Sequence, residues 1–136
     1  MTNEAVLNVE TGLPINFTCA DGTGIEKGAI CKMSSPMTAA LADGDNDIVA
    51  GIVQSEKKAS DGITSVAIYR QGVFRVTCSG SLSAGDPVVT GASSGGTNYV
   101  AKATADQENV LGIMLEDATD GQTKLMELRP TTMQLA

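Results

Sequence analysis

The chain has 136 residues with no His, no Trp, two Phe and two Tyr, and its 16 acidic against 9 basic residues leave a net charge of −7. Without His it lacks both the side chain suited to proton shuttling near neutrality and the commonest metal ligand. The acidic balance is the wrong sign for neutralising phosphates, so nucleic acid is not an expected partner.

Residues 1–14 differ in character from the rest of the chain. Val6, Leu7 and Val9 alternate weakly, Glu4 and Glu10 keep the segment polar, and Gly12-Leu13-Pro14 ends it. This reads as a poorly tied arm that becomes a strand when given an edge to join. Met1-Thr2-Asn3-Glu4 has none of the basic or apolar stretches of a secretory signal. No apolar run approaches the ~18 residues that span a bilayer, so no membrane partner is expected.

From Ile15 onward, short apolar runs are separated by Gly, Asp and Ser. They occupy residues 15–19, 29–33, 37–42, 48–54, 64–70, 73–78, 87–89, 99–103, 110–115 and 123–128. Regular short runs with turn signals between them predict an all-β barrel or sandwich. Gln71-Gly72 reads as a tight hairpin turn with Gly at positive φ. Ser35-Pro36-Met37 and the later Gly44 carry helix start and stop signals, which compete with a strand reading of residues 38–42.

An internal repeat settles that competition. Residues 38–56 fall on 99–117 at an offset of 61, matching Ala40 with Ala101, Asp45 with Asp106, Val49 with Val110 and Gly51 with Gly112. Residues 61–70 fall on 120–129 at an offset of 59, and residues 27–30 on 84–87 at 57. Because Tyr99-Val100-Ala101-Lys102 is strand-like, residues 38–42 are expected to be strand too. Two copies of one β unit, each incomplete alone, should pack face to face into one core. The expected organisation is an arm over 1–14 and a single β domain over 15–136, with repeats about 24–70 and 81–129. Gly28 and Gly85 are expected at turns, and Gly51 and Gly112 where strands approach closely.

No motif carries catalysis. Asp43-Gly44-Asp45-Asn46-Asp47 spaces carboxylates like a calcium loop, but Ile48 stands where that loop needs Gly and Gln54 where it needs Glu. The acidic turn is the better reading. Lys32 resembles a carrier lysine only weakly, since it lies inside an apolar run. Asp21-Gly22-Thr23-Gly24 lacks the Lys and Ser/Thr of a phosphate loop. Cys19, Cys31 and Cys78 form no CxxC pair and read as reduced, buried thiols. No metal, cofactor or catalytic residue is expected.

The succession Asp21-Gly22-Thr23-Gly24-Ile25-Glu26-Lys27-Gly28, Ile48-Val49-Ala50-Gly51-Ile52-Val53, Ala84-Gly85-Asp86-Pro87-Val88-Val89, Leu111-Gly112-Ile113 and Leu125-Met126-Glu127-Leu128-Arg129-Pro130 resembles the head decoration (capsid cement) proteins of tailed bacteriophages. The resemblance implies a small β-barrel-like virion protein on the capsid exterior, made in the host cytoplasm. It also implies a homotrimer that clamps neighbouring major capsid protein subunits. Its arm would contact the shell, with Val6, Leu7, Val9 and Leu13 as the candidate residues. The alternative is a trimeric fibre or tip module recognising a host-surface glycan. Such sites usually offer an aromatic platform, for which Tyr69 and Tyr99 are the candidate tyrosines.

Overall fold

The computed structural model describes residues 3–104 and 109–132, and among these there are eleven strands and no helix. β1 (Val6–Val9) precedes two groups of five. β2 (Ile15–Thr18), β3 (Ile30–Ser35), β4 (Thr38–Leu41), β5 (Val49–Val53) and β6 (Ser65–Tyr69) close into a barrel in the order β2-β4-β3-β5-β6. β7 (Gly72–Ser79), β8 (Pro87–Thr90), β9 (Tyr99–Lys102), β10 (Asn109–Met114) and β11 (Thr123–Thr132) repeat that order as β7-β11-β10-β8-β9, with β9 returning to β7.

In each barrel the closing pair is parallel, Thr18 opposite Thr38 and Thr77 opposite Tyr99. Each half therefore closes on itself as a barrel, where the sequence suggested two units, each incomplete alone, packed into one core. The parallel pair closes each ring, though in the first half it engages β2 only at Thr18. Phe17, Cys31, Ala50, Val53 and Ile68 fill the first barrel. The second is filled by Phe74, Val76, Leu111, Met126 and Leu128, and that cluster continues into Ile30, Val49, Ile52 and Tyr69 of the first.

Residues 38–41 are strand, as the repeat implied. Their helix signals belong to the two-residue turn before them, where Pro36 is followed by left-handed Met37 (φ 49°). The equivalent loop before β9 is longer. Gly72 does take a positive φ, 143°, but the expected hairpin at Gln71-Gly72 is a crossing between barrels. β6 already has β2 and β5 on its two sides, so β7 has no edge of β6 to join.

A Cβ at Gly51 would collide with the Tyr69 carbonyl, and one at Gly112 with the Glu127 carbonyl. Register shifts lie beside both, between Cys31 and Lys32 and between Val110 and Gly112. Gly28 (φ 82°) and Gly85 (φ 91°) turn the chain into β3 and β8. Asp106, the repeat partner of Asp45, lies outside the described residues.

Candidate functional site

β7 is longer than its barrel requires. β9 pairs only with Thr77, Cys78 and Ser79, and β1 lies antiparallel beside the rest, with Val6 opposite Arg75, Leu7 opposite Phe74 and Val9 opposite Val73. The N-terminal segment is thus a strand on its own chain rather than a poorly tied arm.

Side chains fix its two ends. The buried Asn98 donates from Nδ2 to the carbonyls of Asn3 (2.8 Å) and Gly28 (2.9 Å), while its Oδ1 accepts from Ile30 N (2.7 Å). Asn3 Nδ2 donates to the Thr97 carbonyl, and Ala5 N to the Gly28 carbonyl at 3.0 Å. Gly28 must be Gly here, since its Cβ would fall 2.6 Å from the Ala5 carbonyl. After β1, Tyr69 OH donates to Glu10 Oε2. That hydrogen bond, with burial, holds the phenol above its ordinary pKa.

The backbone is held while the side chains face solvent. Val6 is 56%, Leu7 38%, Val9 48% and Leu13 81% exposed. These apolar side chains are gathered on and just after one tethered strand rather than scattered singly over the surface. A cleft of about 520 Å³ separates β1 from the first barrel and is lined by Leu7, Lys27, Val53, Gln54, Tyr69 and Phe74.

The other sequence candidates are placed elsewhere. Asp47 Oδ2 accepts from the backbone N–H groups of Asp43 and Gly44, and Asp45 Oδ1 from those of Ser93 and Ser94. These carboxylates fold the loop and fasten it to the second barrel, with Asn46 bonded to Asn109 and Thr90. Lys32 lies on β3 and pairs with Asp43 at 2.9 Å. The three cysteines are free and buried. Tyr69 is buried, and Tyr99 is half-buried with its ring over Gly95.

One residue escaped the sequence reading. Lys57 is 2% exposed, and its Nζ donates to the carbonyls of Asp21 and Lys58 and to the carboxylates of Asp21 and Asp61. It plugs the end of the first barrel where the second has the buried Ala118; the Ile25–Lys57 and Leu82–Ala118 bridges occupy equivalent places. The signal was present in the repeat, as a lysine aligned with an alanine at the offset of 61.

No curated protein matches the chain. Among solved structures, the head fiber gp8.5 N base in bacteriophage phi29 is similar over 89% of this chain and 98% of that one, with a TM-score of 0.57 at 18% identity. At that identity the likeness is one of fold. A family model described as phage cement protein matches residues 9–130, a span that takes in β2 through β10 and most of β11. The chain therefore belongs to the phage cement protein family.

Proposed function

We propose that the chain binds the outer surface of a phage capsid as a trimer and stabilises it by bridging neighbouring major capsid protein subunits, without catalysis. The family match over residues 9–130 carries this reading, since it supports a capsid-associated structural role. The exposed Val6, Leu7, Val9 and Leu13 on and beside a held strand supply a contact surface that costs little ordering entropy on binding. One such contact is weak, but three linked in a trimer act at high effective concentration and can raise avidity by ~10²–10⁴.

The purified chain should bind cognate capsids stripped of it and raise their melting temperature. Deleting residues 1–13 should reduce occupancy; undiminished occupancy would remove the N-terminal strand from the contact. Sedimentation across a dilution series tests the trimer, which should dissociate as concentration falls. The fibre reading draws on the head fiber structure, but buried Tyr69 and half-buried Tyr99 offer no open aromatic platform for a sugar. Binding to a glycan array and not to capsids would reverse the order of the two readings.

A further inference from the structure

The two barrels differ at one edge. In the second, β1 covers residues 73–75 of β7. Thr18 and Thr77 hold equivalent places in the parallel closing pairs, so the matching positions in the first barrel are Pro14, Ile15 and Asn16. Among the described residues no strand pairs with these on the side away from β6.

The peptide groups there point outward. Cys19 N donates to the Thr64 carbonyl on the β6 side, and Thr18 N to the Met37 carbonyl on the β4 side. Alternation along the strand then turns the Asn16 N–H and C=O, and the Pro14 C=O, toward the open side. Around them Leu13 is 81%, Ile15 45% and Met37 50% exposed. Met37 corresponds to Asn98, since each directly precedes the matching strand and each is left-handed, at φ 49° and 64°. Asn98 grips the leading end of β1, whereas Met37 presents an apolar side chain at that position.

We infer that the open edge of β2 receives an extended segment of a capsid subunit, running antiparallel to β2 as β1 runs to β7, and apolar where it meets Met37 and Ile15. The inference rests on the capsid reading above. β1 shows what kind of segment the position takes. In a second copy each of the eleven described strands is already paired on at least one side, so none is loose to be inserted whole as β1 is. Its β1 would have to leave β7 for an edge with fewer bonds, since Pro14 has no N–H where Val73 supplies one. The same proline blunts the edge against indiscriminate pairing.

Asn16→Pro removes the single outward N–H without touching the β6 ladder, and Asn16→Ala keeps it. Met37→Asn suits the left-handed turn and removes the apolar contact without altering β2. Each full-length variant is titrated onto cognate capsids stripped of the protein, with bound chain read from gels and folding from circular dichroism and melting. Asn16→Pro should bind about tenfold more weakly or worse, Met37→Asn several-fold more weakly, and Asn16→Ala like the wild type. Wild-type binding by both Asn16→Pro and Met37→Asn overturns the inference and leaves the capsid reading standing. A wild-type chain that leaves capsids bare overturns both. If the two variants lose self-association in sedimentation while still saturating capsids, the occupant is a second copy and the inference fails.

Discussion

Tyr69, the last residue of β6, holds Glu10 through a 2.6 Å hydrogen bond from its phenol, so the first barrel fastens the link between β1 and β2. Without that bond the link from residue 10 to 14 has no side-chain tie to Tyr69, while the β1–β7 ladder remains. Tyr69→Phe should cost about 1 kcal/mol and speed proteolytic cutting within residues 10–14. Denaturant unfolding and timed proteolysis check the two effects.

The glycines should fall into graded classes. Gly51→Ala and Gly112→Ala drive a methyl into a carbonyl of the neighbouring strand and should each cost about 3 kcal/mol. Gly62 and Gly121 have open space but a φ of 82°, so Ala there should cost about 1 kcal/mol. Gly22, with neither constraint, should accept Ala with little change. Denaturant midpoints of the five variants give the order directly.

Lys57→Met keeps the buried stem but takes one donor from each of four acceptor atoms, and it should lower the melting temperature. The Ile63 N–H, ahead of opposing burial and the help of Lys57, holds the Asp61 carboxyl below its ordinary 3.8. A carboxyl lowered in the folded state stabilises fully above that ordinary value and stops doing so as pH falls through its folded value. The gap between wild type and Lys57→Met should therefore be widest above pH 3.8 and narrow in stronger acid. Melting curves from about pH 2 to about pH 6 measure it.

Burial pushes the Cys31 thiol up to about 12 and the Cys78 thiol to about 11, and it raises Cys19 as well. The native chain should leave a thiol reagent unreacted at mildly alkaline pH, and the unfolded chain should titrate as three thiols. A thiol raised in the folded state stabilises fully below its ordinary 9.0 and loses that contribution as pH climbs toward its folded value. Stability should decline from pH 9.0 upward, and Cys31→Ala should flatten that decline.

Much of this fold could be read ahead of the structure because a duplication states each element twice. Tyr99-Val100-Ala101-Lys102 corrected the helix signals around Pro36, and Gly51 with Gly112 marked the same place in each half. What could not be read depends on which edge meets which. The parallel pairs at Thr18–Thr38 and Thr77–Tyr99 bring together residues far apart in sequence, and no local pattern announces them. Gln71-Gly72 has hairpin chemistry, yet tertiary pairing made it a crossing. Of the candidate site, Val6, Leu7 and Val9 stand out in the sequence by their weak alternation, while Leu13 and the contact role of all four come from the family resemblance. Their attachment through Asn98 was hidden, because that amide acts over 95 residues of separation.

The grip of Thr90 on the acidic loop has a mechanical consequence. Its Oγ1 donates to the Gly44 carbonyl and accepts from Asp47 N, while its own carbonyl accepts from Asn46 N. Together with the Asn46–Asn109 pair, this places several bonds side by side between the barrels. A shear load passing from one barrel to the other has to break them at once rather than one after another, so the molecule transmits strain as a single stiff link.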